Sequence, residues 1–176
     1  MSLVVKILII IFGIILLPFI IALFLKKSYD IEREIIINTT NQKVFEYIKL
    51  LKNQDYFNKW VMTDPEMKKN FKGQDGTVGF IYEWNGNDKA GQGEQEIKKI
   101  EENKTIESEI RFIRPFVSVA YSKMSVESLS EKQTKVKWSN GSEMKYPLNF
   151  MLLFIENMLA KDMDESLNNL KTIIEK

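Results

Sequence analysis

Three side chains in this chain are candidates for chemistry: Tyr82, Arg111 and Asp162. Arg111, with Glu109 or Glu94, could orient a polar head group at the rim of a cavity; charges on strands also serve as solvated faces or cross-strand pairs. Asp162 adjoins the apolar stripe of a helix. A carboxyl buried there would have a raised pKa and could donate a proton. An enzyme would need at least two of the three within hydrogen-bond reach of one point. The chain of 176 residues has no histidine and no cysteine. It therefore lacks the commonest general base near neutral pH, thiolate chemistry and zinc–sulfur sites. Any reaction must rest on carboxylates, Lys, Tyr or Ser. No catalytic residue, metal ligand or cofactor is assigned from the sequence.

A second set is apolar: Phe80, Tyr82, Trp84, Phe112, Tyr121, Met124, Trp138, Phe154 and Met158. Aromatic and thioether side chains suit a pocket for varied apolar ligands, and they equally suit a packed core. The stretch Trp84 to Asn87 could form a portal, or Asn85-Gly86 could simply supply positive φ to a hairpin turn.

The elements that must position these residues begin at Tyr29. Ile7 to Leu25 is an uncharged run of mostly Ile, Leu and Phe, closed by Lys26-Lys27. A helix of about 20 residues rises about 30 Å, the thickness of a bilayer core. Gly13 and Pro18 are tolerated in such a helix. A cleaved signal peptide would have a shorter apolar region and a small-x-small site, which Ala22-Leu23-Phe24 does not offer. Residues 1–27 are therefore expected to be a single transmembrane anchor, and residues 28–176 a folded domain. Lys26, Lys27 and Arg33 against Lys6 lean towards a cytoplasmic domain. The chain holds 25 basic and 24 acidic side chains; setting aside Lys6, Lys26 and Lys27 leaves 22 and 24, a net of −2. This balance carries no footprint for nucleic acid.

Tyr29 to Ile37 reads as a strand, with Ile31, Ile35 and Ile37 on one face beside Arg33. Asn38 to Asn41 is a capping cluster, after which Val44, Phe45, Ile48 and Leu51 mark an amphipathic helix. Asn53 to Trp60 reads as a short helix or turn that contacts the core through Tyr56, Phe57 and Trp60. Strands follow: a start at Met67 to Phe71, then Val78–Trp84, Gln92–Ile100, Thr105–Phe112, Val117–Ser128 and Lys135–Ser142, separated by turn residues. Phe150, Phe154, Met158, Met163, Leu167, Leu170 and Ile174 then recur along the last segment and read as one long helical stripe. Consecutive strands joined by short turns are antiparallel neighbours. The expected fold is α+β, with a curved antiparallel sheet of about six to seven strands wrapped around the long C-terminal helix. A sheet that does not close fully on its helix leaves an apolar cavity.

The ordered stretches resemble a known family. Ile31-Glu32-Arg33-Glu34-Ile35 with Val44-Phe45-Glu46-Tyr47-Ile48, Asp64-Pro65-Glu66-Met67-Lys68 with Phe71-Lys72-Gly73, and Trp84-Asn85-Gly86-Asn87 with Gly91-Gln92-Gly93 carry the likeness. Pro115-Phe116, Thr134 to Trp138 and Leu167 to Lys171 complete it. Together they are similar to the START-like, helix-grip superfamily (SRPBCC), specifically its polyketide cyclase/dehydrase-type members, from Tyr29 to the C-terminus. The resemblance implies a cavity between sheet and helix for lipids, sterols, polyketides or other apolar molecules. Some members cyclise or dehydrate their ligands there, commonly with a His, Arg or Tyr/Asp network, and no matching network falls on these stretches. The expected partners are an apolar small molecule or lipid and, through the N-terminal helix, a membrane. A domain that instead binds another protein would have a filled core and an exposed apolar patch.

Overall fold

The computed structural model describes residues 2–176. A 22-residue helix, α1 (Leu3–Phe24), comes first. Past Lys6 it is apolar on every side, and it is long enough by length and composition to cross a bilayer; only Ala22 is buried. Strand β1 (Ser28–Ile37) follows, then α2 (Asn41–Lys49), a 3-10 turn, and two single-turn helices, α3 (Gln54–Phe57) and α4 (Lys59–Met62). Six strands come next: β2 (Lys68–Lys72), β3 (Ile81–Asn85), β4 (Gln92–Glu101), β5 (Thr105–Arg114), β6 (Ser118–Ser130) and β7 (Gln133–Glu143). Helix α5 (Leu152–Ile174) ends the chain.

The seven strands form one antiparallel sheet in the order β1-β7-β6-β5-β4-β3-β2. Short hairpins order the run from β2 to β7. β1 closes the far edge by pairing Ser28 with Glu143 through Ile37 with Thr134. The Thr40 side chain caps α2 by accepting from Lys43 N, as the polar cluster there requires. Val44, Phe45 and Ile48 of α2 are buried. They meet Phe57, Phe80, Ile97, Val136, Leu167 and Leu170 in one core. Each fully covered side chain of this size contributes about 1.5–3 kcal/mol.

Helix α5 lies across the sheet and is pinned to β1. Arg33 Nε and Nη2 donate to Asp164 Oδ1 and Oδ2 at 2.7 and 2.6 Å. Both side chains are around two-fifths exposed, so the pair sets orientation more than stability. At the other end of the molecule, Asn149 is fully buried under the end of α1. Its Nδ2 donates to Ala22 O at 2.7 Å. Met144 N donates to Lys27 O at 2.7 Å, and Lys26 pairs with Glu156 at 2.6 Å. The first helix is thus held at its C-terminal end by side chain, backbone and charge.

Four local expectations are corrected. Tyr56 is 65% exposed and Phe57 alone of that pair enters the core, because a single helical turn presents only one side to it. The third strand begins at Ile81 rather than Val78: Gly79 adopts φ +88° and turns the chain before Phe80. Gly86 does not have positive φ; among the described glycines of that loop Gly91 does, at +67°. Gly86 is instead a close-approach residue, where a Cβ would lie 2.7 Å from the Ala90 Cβ. Finally, the expected single stripe on α5 is two: the five-residue step from Met158 to Met163 turns the helix by about 140°, so Met163, Leu167, Leu170 and Ile174 are buried while Phe154 and Met158 face another side and are exposed.

Candidate functional site: a cavity between sheet and helix

The N-terminal half of α5 leaves a cavity of about 280 Å3 between itself, the inner face of the sheet and helices α3 and α4. Strand alternation explains why space remains. The inward positions of β5 are Ile106, Ser108, Ile110 and Phe112, and those of β6 are Ala120, Ser122, Met124 and Val126. Ser108 and Ser122 are directly paired neighbours, as are Ile110 and Ala120. Three small side chains therefore occupy the centre of a face that elsewhere carries large apolar groups. This alternation is visible in the sequence, yet Ser108, Ala120 and Ser122 do not stand out when candidates are chosen for size and aromaticity.

Of the apolar set expected to line a pocket, Tyr82, Trp84, Phe112, Met124, Trp138 and Met158 do so. Phe80 is fully buried behind the wall, stacked on Phe71 with ring centroids 6.3 Å apart. Tyr121 is 61% exposed on the outer face, because it has the opposite strand parity to Ser122 and Met124. Phe154 is 65% exposed because it lies nine residues, about half a revolution, from Met163 and so on the side of α5 turned away from the core.

The polar candidates are not brought together. Arg111 projects from the outer face of the sheet, where Nε meets Glu94 Oε1 at 2.7 Å and Nη1 meets Glu96 Oε2 at 2.9 Å; Glu109 also bonds Nη1. The Glu94 hydrogen bond leads in holding its guanidinium charged. Asp162 does not line the cavity; its Oδ2 accepts from Trp60 Nε1 at 3.0 Å. Tyr82 alone of the three lines the cavity, and its hydroxyl donates to Asp55 Oδ1 at 2.6 Å. Burial, followed by that bond, raises its pKa well above the usual value of 10. Its proton is therefore committed to a structural partner at neutral pH.

The remaining polar lining is mostly tied internally. Asn58 Nδ2 donates to Gln54 Oε1 at 2.9 Å, and Gln54 Nε2 donates to Gln95 Oε1 at 3.1 Å. Trp138 Nε1 donates to Ser122 Oγ at 2.8 Å, fixing the indole ring against the wall. Burial raises the pKa of Tyr29, which marks a desolvated surround. Among the described residues no cluster of acidic side chains is arranged to hold a metal ion. Shape, apolar surface and a few amide groups are what this site presents to a small molecule.

The rim is built from the β3–β4 loop, the β5–β6 loop and α5. Of the residues lining the cavity, Lys89, Pro115 and Met158, one from each of these segments, are exposed. The β3–β4 loop is rigidly held. Asp64 Oδ2 accepts from Asn87 N at 2.7 Å, Trp84 Nε1 donates to Ala90 O at 3.1 Å, and Arg114 Nη2 donates to Asn85 Oδ1 at 2.8 Å. The Trp84–Asn87 stretch thus leads into the rim of the cavity.

Solved structures share the fold. Norcoclaurine synthase from Thalictrum flavum, in complex with dopamine and hydroxybenzaldehyde, superposes with a TM-score of 0.65 at 10% identity, covering 88% of this chain and 91% of that one. Ara h 8.0201 gives 0.60 at 14% identity, over 84% and 97%. The Aha1 dimer from Colwellia psychrerythraea gives 0.57 at 17%, over 84% and 96%. At these identities the likeness is one of fold. No curated protein matches the sequence. Residues 28–175 match the family described as polyketide cyclase / dehydrase and lipid transport. The chain therefore belongs to that family, whose members take small apolar ligands into the cavity of the helix-grip fold.

Proposed function

We propose that this chain is a membrane-anchored binding protein that holds a lipid-like or other apolar small molecule between the sheet and α5, for transport or sensing. The observation that carries the reading is the apolar-walled cavity of about 280 Å3 at a place where a core could have been filled. A sheet carrying Ser108, Ala120 and Ser122 at its centre gives up packing that larger side chains would supply, and an apolar guest restores it. Helix α1, apolar from Ile7 to Phe24 and exposed except near Ala22, supports the membrane part of the proposal. Its flanking lysines lean towards a cytoplasmic domain.

The test is to purify the full chain from membranes in mild detergent, extract it with organic solvent and identify co-purifying molecules by mass spectrometry. An apolar species present in stoichiometric amount, and lost from Ala120→Leu, is the expected result. A chain that carries nothing and does not enhance the emission of an apolar fluorescent probe overturns the proposal.

A further inference from the structure

The register of the sheet sorts its loops into two ends. At one end Ser28 pairs with Glu143, Ala120 with Ser142, Phe112 with Ser118, and Gln92 with both Arg114 and Asn85. At the other end lie the turns after Glu101 and Ser130. The rim of the cavity, made by the β3–β4 and β5–β6 loops, is at the first end. So is the exit of α1, since β1 begins at Ser28 and Met144 N, just past β7, holds Lys27 O. The mouth of the cavity and the apolar helix therefore leave the molecule at the same end. The clamp formed by Asn149, Met144 and Glu156 fixes this relation.

That end also carries large apolar side chains in the open. Phe116 and Val117 tip the β5–β6 loop, with Val117 87% exposed; Leu153, Phe154 and Met158 are exposed on the first half of α5. Lys26, Lys27, Lys89 and Lys145 are exposed at the same end, Lys26 paired with Glu156, and so are Asp88 and Glu143. Apolar tips flanked by charged side chains match the layered chemistry of a bilayer surface, with acyl chains below and charged head groups above.

We propose that this end docks on the bilayer that α1 crosses, seating the β5–β6 loop and the first half of α5 at the boundary of head groups and acyl chains. The cavity then opens into lipid, and an apolar ligand enters or leaves without crossing water. This rests on α1 being a membrane span. The occupant is a lipid surface because the exposed apolar residues form a face continuous with α1, whose end is clamped beside them.

The native chain has no cysteine, so single cysteines report cleanly. Val117→Cys, Phe154→Cys and, at the opposite end, Lys132→Cys are made in the full chain and labelled with an environment-sensitive nitrobenzoxadiazole dye. They are reconstituted in phosphatidylcholine–phosphatidylglycerol vesicles with or without doxyl-labelled phosphatidylcholine. The expected result is blue-shifted emission at 117 and 154 that doxyl lipid quenches, with water-like, unquenched emission at 132. Water-like emission at all three positions overturns docking. So does blue-shifted emission that doxyl lipid does not quench, which would place a second protein on the face. Extraction of the same chains with alkaline carbonate reads the anchor, and the co-purification assay reads ligand binding. Labels that stay in water on an anchored, ligand-loaded chain refute docking alone, whereas quenched labels on a ligand-free chain support docking and refute binding.

Discussion

Ala120→Leu distinguishes a cavity from a core by the sign of its effect. Ala120 faces inward from β6, is 4% exposed and lines the cavity beside Ile110. Leucine adds three carbon atoms. If they enter an empty apolar space, transfer from water contributes about 0.8 kcal/mol each, or about 2.4 kcal/mol. Fixing the longer side chain costs about 0.5–1 kcal/mol. The net is a gain of about 1.4–1.9 kcal/mol in the ligand-free protein. In a filled core the same change would cost about 1–3 kcal/mol through overpacking. The two cases differ by several kcal/mol, well beyond the error of urea unfolding. With a slope of about 2 kcal/mol per molar urea, the delipidated full chain in micelles should gain about 0.7–1 M in midpoint at unchanged slope. Binding of an apolar probe should weaken at the same time. A lower midpoint together with unchanged probe binding would refute the argument, because it would mean that no usable space lies beside Ala120.

Three further outcomes follow from particular contacts. Tyr82 has a folded-state pKa raised above its unfolded value near 10, so its contribution to stability is complete below pH 10 and is lost as pH rises through the folded value. Tyr82→Phe should lose about 1 kcal/mol at neutral pH and show a shallower decline of urea midpoint above pH 10 than the wild type. Asn149→Ala removes the buried donor to Ala22 O, worth about 1–3 kcal/mol. Trypsin should then cut after Lys26 or Lys27 roughly fivefold faster or more, and an unchanged rate would show that Asn149 is no clamp. Gly93→Ala places a Cβ 2.5 Å from Arg111 O and 2.8 Å from the Trp84 ring. It should destabilise the protein by about 1–3 kcal/mol and change the intrinsic tryptophan emission, because the Trp84 ring forms part of the cavity wall.

Much of the fold is legible in the residues. Period-two alternation marks β5, Asn38 to Asn41 announces α2, and Met163, Leu167 and Leu170 mark the buried face of α5. What fails is phase. Phe154 and Met158 lie four apart and share a side of α5, but the five residues from Met158 to Met163 turn the helix by about 140°, so the two sets face different sides. The candidate site is legible in part for a different reason. Tyr121 and Met124 lie three apart and cannot face the same side of a regular strand, and Arg111 cannot share a side with Phe112. Strict parity would have moved both to the outer surface. The sequence also conceals that Tyr82 is engaged by Asp55, or that Asp162 faces Trp60, because both contacts join elements far apart in the chain. The cavity itself is written as smallness, at Ser108, Ala120 and Ser122, and small residues draw less notice than aromatic ones.

Those three residues have a consequence for the protein's lifetime. A ligand that occupies the space beside them acts as a detachable piece of the interior, and mass action links folding to its supply. At a free concentration 100 times its Kd, such a ligand adds about 2.7 kcal/mol to the stability of the native state. Without it, the chain spends roughly a hundredfold more time unfolded and open to proteolysis. The cellular amount of this protein would then rise and fall with the molecule it carries, with no dedicated regulator.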